Sequence, residues 1–153
     1  MKQIVKRISR FLKYGTLVSS LGFIGATLIQ IYARFFMDSA PSWTEEAARF
    51  FFIYAMCFAA GLAMRDGSYV HFDVLYNKMN KGQQRILDII ISVFTFLLFL
   101  VLTIYAFQFV NVGLPEHSPS LDVPMAIAFG SMAIMGLFVS FFAFVDILTK
   151  MKR

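Results

Sequence analysis

Between Trp43 and Asp73 the chain reads WTEEAARFFFIYAMCFAAGLAMRDGSYVHFD, an apolar segment with ionisable side chains crowded at both ends. Glu45 and Arg49 are four residues apart and Glu46 and Arg49 three, so on a helix either carboxylate can pair with the guanidinium. Past the far end come Arg65, Asp66, His71 and Asp73. The chemistry open to the first group is ion pairing in surroundings of low dielectric. His71 and Asp73 could begin a metal site, but two residues is a poor spacing for one helical face and no third nearby ligand completes the set. Neither end holds a nucleophile beside a base.

The segments that must position these groups are apolar. Of 153 residues 59% are hydrophobic and 15% charged, too apolar a balance for a soluble domain of that size. Charge-free runs cover Tyr14–Ala33, Phe50–Met64, Ile89–Pro115 and Val123–Val145, which is 20, 15, 27 and 23 residues, against roughly 20 for a bilayer crossing. The expected fold is all-α and membrane-embedded: one domain of four transmembrane helices, with spans at about 14–36, 44–64, 88–112 and 124–146.

Charge distribution orients it. Five Lys or Arg precede the first run, four follow the second (Arg65, Lys78, Lys81, Arg85) and three follow the fourth (Lys150, Lys152, Arg153). The other two connections hold only Arg34 and Arg49, so the positive-inside rule places both termini in the cytoplasm. The formal charge of +5 is thus a topology signal and implies no nucleic-acid partner. Residues 1–13 put Ile4, Ile8, Phe11 and Leu12 at helical spacing among cations, as expected of a basic amphipathic segment on anionic headgroups. A second such segment is expected around Tyr69–Met79, between the second and third spans.

Small residues mark the faces along which helices pack. Gly15, Ser19, Gly22 and Ala26 form a stripe on the first span, which suits either another span of the same chain or a partner. Ala48, Ala55, Ala59 and Ala63 share a side of the second, where Gly61 also permits close approach; Ala126, Gly130, Ala133 and Gly136 do the same on the fourth. Ser42 and Glu45 have capping-box spacing, and Trp43 suits a headgroup belt. Asp122 is placed to cap the fourth span, with Pro124 in its first turn. The charge-free part of the second span is only about 22 Å long at 1.5 Å per residue, so its first turn must dip toward the hydrocarbon.

Catalytic chemistry finds no support. There is no carboxylate pair in mid-membrane and no glycine-rich phosphate loop, and the lone Cys57 lies in an apolar stretch without a base. Both histidines, His71 and His117, fall in connections rather than spans, which excludes intramembrane haem. No cofactor or metal is expected.

In this order and at these spacings, Trp43, Glu45, Glu46 and Arg49, then Gly61, Arg65 and Gly67, then His71 and Asp73, give the chain a resemblance to a known family. It resembles, over its whole length, the small membrane subunit (DctQ or SiaQ type) of tripartite ATP-independent periplasmic, or TRAP, transporters. It departs from the family pattern at Tyr54, where tryptophan is frequent. The resemblance implies a non-catalytic scaffold in the bacterial inner membrane, partnered by a large elevator-type subunit (DctM or SiaM type), a periplasmic substrate-binding protein and membrane lipids. It implies uptake of an organic acid, sialic acid or a C4-dicarboxylate, with sodium and substrate sites in the large subunit. The residues expected to face the large subunit are Trp43, Glu45, Glu46, Arg49, Ala55, Ala59, Gly61, Arg65, His71 and Asp73. The competing reading is a free-standing homo-oligomeric four-span exporter or membrane enzyme.

The orientation is directly testable. Alkaline phosphatase fused after Arg153 should be inactive and a fusion within residues 113–125 active; activity at Arg153 overturns the topology.

Overall fold

The computed structural model describes residues 2–37, 41–67 and 79–151. Among them are four helices: α1 Lys2–Phe36, α2 Ser42–Asp66, α3 Lys81–Val112 and α4 Ala126–Met151. Each is long and apolar enough to cross a membrane, and in hydrocarbon a helix is the form that satisfies every backbone group within its own segment.

The basic residues at the start of α1 do not form a helix of their own. They run unbroken into the span, giving a helix of 35 residues, about 52 Å long where the hydrocarbon core is roughly 30 Å thick. No proline interrupts it, and its glycines are isolated. Leu12, in the continuous part, is fully buried. The second expected interfacial segment, 69–79, falls almost wholly outside the described residues.

α2 starts at Ser42, with Pro41 in the capping position at φ −64° and ψ 122° and no side-chain cap. The Ser42–Glu45 box therefore does not form. The fixed φ of Pro41 suits an extended cap residue, so Ser42 is already helical, and Thr44 Oγ1 donates instead to the Pro41 carbonyl at 2.7 Å. At the other end Gly67 takes φ 65° and ψ 23°, and its N–H returns to the carbonyls of Ala63 and Met64. This left-handed residue, open to glycine at no steric cost, stops the helix.

Extensive contacts join α1 to α2, α2 to α4, and α4 to α3. The helices thus form an open row in the order 1–2–4–3, with α2 and α4 inside and α1 and α3 at the edges. Burial agrees: 28% and 33% of the apolar windows of α2 and α4 are buried, against 17% for each edge helix. Lipid is as apolar as leucine, so helices in a membrane associate through close backbone approach. The small stripe of α1 packs within the chain, Gly15 and Gly22 lying against the rings of Phe58 and Phe51 of α2. Gly61 of α2 admits Leu12 from α1 and Phe138 from α4, 3.0 and 3.1 Å from where a Cβ would stand. Beside it Leu12, Phe58 and Phe142 form the core in which α1, α2 and α4 meet. Between α4 and α3 the tightest approach is Gly136 on Thr103, where an added Cβ would overlap Thr103 Oγ1 and come within 3.2 Å of its Cα.

Gly136→Val should therefore cost about 1–3 kcal/mol by overpacking. Gly25→Ala, at a position where a Cβ meets nothing within 4 Å, should be neutral or slightly stabilising. Thermal unfolding in detergent checks the pair, and equal melting temperatures would contradict the packing order.

Candidate functional site

The polar residues gather at the two ends of the row. At the end where α1 finishes and α2 begins, beside residues 113–125, the first turns of α2 divide by face. Glu45 and Arg49 point outward, each 67% exposed and 3.4 Å apart. Trp43 is exposed beside them, whereas Thr44 and Glu46 are buried. Glu46 does not pair with Arg49. Its Oε2 accepts the backbone N–H groups of Ser120 and Leu121 at 3.0 and 2.8 Å. Two successive amides aimed at one carboxylate oxygen make a small anion nest, and bonds to an ionised acceptor are about twice as strong as neutral ones.

The segment those amides belong to is built to hold them. Ser118 N–H donates to the Val123 carbonyl at 2.9 Å, Asp122 N–H to Ser118 at 3.1 Å, and Met125 N–H to Glu116 at 2.8 Å. Ser118 is buried at the centre of this turn. His117 Nδ1 lies 3.1 Å from Asp122 Oδ1 and 3.1 Å from the Asp122 carbonyl. Asp122 does not cap α4, which begins at Ala126; it takes φ 53° to close the loop, a left-handed conformation that Asp tolerates better than most residues. A second tie comes from Tyr54, whose Oη donates to the Ile127 carbonyl at 2.7 Å, in the first turn of α4. The long 113–125 connection is thus pinned to α2 by Glu46, and the start of α4 that follows it by Tyr54.

The residues expected at a partner interface separate accordingly. Glu46, Ala55 and Gly61 are buried. Glu46 holds this chain's own loop and Gly61 its own α1 and α4, so these are contacts within the chain. Ala59 is half-buried. Trp43, Glu45, Arg49 and Arg65 remain on the surface, Arg65 beside Asp66 at 3.6 Å. His71 and Asp73 lie outside the described residues.

The opposite end holds a cluster that sequence reasoning overlooked. Lys150 Nζ, on α4, is 2.6 Å from Asp146 Oδ2 and 3.1 Å from Ser92 Oγ of α3. Ser92 Oγ in turn lies 2.7 Å from Asp146 Oδ2 and 2.8 Å from the Asp88 carbonyl. Arg85 donates to the carbonyls of Lys150 and Met151, capping the end of α4. The signal was present as one i, i+4 pair, Asp146 with Lys150; the Ser92 bond goes to the backbone carbonyl of residue 88, which any residue there supplies. Its chemistry is a half-buried ion pair within α4 that hydrogen-bonds Ser92 and so ties α3 to α4. Among the described residues no three His, Cys, Asp or Glu side chains come together to hold a metal.

Glu46→Ala should free the loop at a cost of roughly 1.5–3 kcal/mol, while Glu46→Gln, which keeps an acceptor oxygen, should lose less. Labelling of a Ser120→Cys reporter measures this: it should accelerate in the alanine variant, and unchanged labelling would dismiss the anchor.

Against known proteins, residues 23–153 match the DctQ component of tripartite ATP-independent periplasmic transporters. Over 105 residues, 63% of this chain, it is 29% identical to the isethionate TRAP transporter permease protein DctMQ of Oleidesulfovibrio alaskensis, and the match covers 16% of that protein. Over 121 residues, 79% of this chain, it is 20% identical to a Haemophilus influenzae protein described as a TRAP transporter small permease protein, and covers 73% of it. The family match runs from within α1 to Arg153, through both tied ends of the helix row, and on that evidence the chain belongs to the DctQ family of TRAP transporter small permease components.

Proposed function

We propose that this chain is the non-catalytic small subunit of a TRAP transporter in the bacterial inner membrane, both termini cytoplasmic, crossing the membrane once with each of its four helices. Its work is to brace a large elevator-type subunit that carries the substrate and sodium sites, and to present residues 113–125 to a periplasmic substrate-binding protein. The chain itself brings no cofactor. The observation that carries this reading is the open helix row with its pinned loop. The row turns polar side chains inward to hold the chain's own helices and loop in place, while its two edges offer long apolar faces.

Family membership favours this over a free-standing exporter or membrane enzyme. A large membrane partner is supported by the Oleidesulfovibrio relative, whose name joins DctM with DctQ and of whose length this match is 16%. The substrate class is an organic acid, with sialic acid and C4-dicarboxylates as the family expectation. The relative named for isethionate, a sulfonate, extends that class to organic anions more widely.

Affinity purification of the tagged chain with its neighbouring genes, in mild detergent, should recover a many-span partner in roughly equal amount. Recovery of a homo-oligomer alone would overturn the scaffold role. Trp43→Ala combined with Arg49→Ala, which alters the exposed face of α2 and leaves Glu46 anchored, should lower partner recovery several-fold; unchanged recovery would remove this face from the interface.

A further inference from the structure

At the end of the row where α1 begins and α4 finishes, an open groove of about 690 Å³ lies between α1 and α2. Its wall on α1 carries Lys6, Arg10 and Lys13, at the i, i+4, i+7 spacing that puts three cations on one helical face. Antiparallel packing brings Arg65, in the last turn of α2, to the facing wall. Asp66 contributes one carboxylate and sits 3.6 Å from Arg65, so the lining has a net formal charge of +3. Among the described residues no carboxylate forms an ion pair with Lys6, Arg10 or Lys13. All three are exposed.

The groove is also graded in polarity. Lys13 immediately precedes the charge-free run of the first span, and Arg65 immediately follows that of the second. Both cations therefore stand at the same membrane boundary. Leu17, four residues beyond Lys13, and Leu62, three residues before Arg65, line the next turn inward. Cations at headgroup level above two leucines at hydrocarbon level match a molecule with an anionic head and an acyl tail. Arginine binds phosphate through paired donors, and basic pockets between membrane helices hold anionic lipid headgroups. The volume lies within the range of small-molecule pockets, roughly 300–1,000 Å³.

We propose that this groove is a binding site for one anionic glycerophospholipid, its phosphodiester held among Lys6, Arg10, Lys13 and Arg65 and an acyl chain laid along Leu17 and Leu62. The lipid would fill the gap between α1 and α2 and offset the mutual repulsion of the four cations. The assignment rests on the groove alone and stands whether or not the transporter reading does.

The test uses the full-length purified chain in a neutral detergent, with thermal unfolding and native mass spectrometry as readouts. Phosphatidylglycerol should raise the melting temperature saturably, and one molecule should stay bound in the gas phase. Phosphatidylcholine of the same chain length and inorganic phosphate should each do far less. Replacing Arg10, Lys13 and Arg65 together by glutamine should weaken phosphatidylglycerol binding by on the order of 100-fold, at about fivefold per cation. These side chains are exposed, so folding is retained, and monodisperse elution verifies it. Lys81→Gln, which removes a cation at the same end but outside the groove, should leave binding unchanged. Equal stabilisation by phosphatidylcholine would show annular lipid only, and equal stabilisation by phosphate would show a free-anion site; either overturns the proposal. So does a triple variant that still binds phosphatidylglycerol but loses its many-span partner, since the cations would then serve an acidic protein segment.

Discussion

The shortness of the charge-free run in α2 is the constraint to which the rest of the structure answers. Fifteen residues from Phe50 to Met64 do not bridge a hydrocarbon core near 30 Å, so the first turns of α2 enter the membrane with ionisable groups on them. An unpaired carboxylate at such depth is costly, and it persists where it faces protein rather than lipid. Glu45 avoids the cost by pointing outward with Arg49. Glu46, one residue on and so turned by about 100°, faces inward and needs donors, and the amides of Ser120 and Leu121 supply them. The 113–125 loop takes its shape around that need.

Two kinds of force then divide the labour along α2. Near the loop, charge-assisted bonds hold it to Ser120 and Leu121, and the Tyr54 hydroxyl holds it to α4. Deeper in, where no charge is tolerable, Ala55, Gly61 and Phe58 let α1 and α4 approach. Among the described residues no buried side-chain nitrogen or oxygen lacks a hydrogen-bond partner, as a chain surrounded by hydrocarbon requires. The Ser92–Asp146–Lys150 cluster does for α3 and α4 at the far end what Glu46 does near the loop. The row is stapled by polar contacts at its ends and packed by small residues between.

The helices and their small-residue faces were legible in the sequence, because hydropathy over a span and spacing of three or four along a helix are local properties. What lay beyond it was the identity of each partner. The stripe Gly15–Ser19–Gly22–Ala26 announced a packing face but not that α2 would supply the phenylalanines. Glu46 announced a need for a partner, and Arg49 was the only one visible, since backbone amides have no letter in a sequence and the donors are 74 and 75 residues away. Asp122 looked like a cap because caps are local; its recruitment by His117 depends on a turn that exists only once the loop is closed. Asp146 and Lys150 are one helical turn apart in the sequence, but that Ser92 joins them depends on how α3 packs against α4.

The openness of the row bears on how such a chain chooses its neighbours. Val18, Leu21, Leu28 and Tyr32 on α1, and Phe94, Leu98, Val101 and Tyr105 on α3, are all more than half exposed, yet in a bilayer such faces are at rest against lipid and distinguish poorly between lipid and a protein helix. Apolar area supplies little drive for association there, in contrast to water. Discrimination must come from close-fitting small residues or from polar groups. The closest-packed glycines of α2 and α4, Gly61 and Gly136, are already occupied within the chain. What remains for selecting neighbours is polar and lies at the ends: Trp43 with the Glu45–Arg49 pair near the loop for a protein, and the cations that rim the groove at the other for an anionic lipid. A helix row of this form is apolar along its length, where lipid and protein are equivalent neighbours, and selective at its two rims.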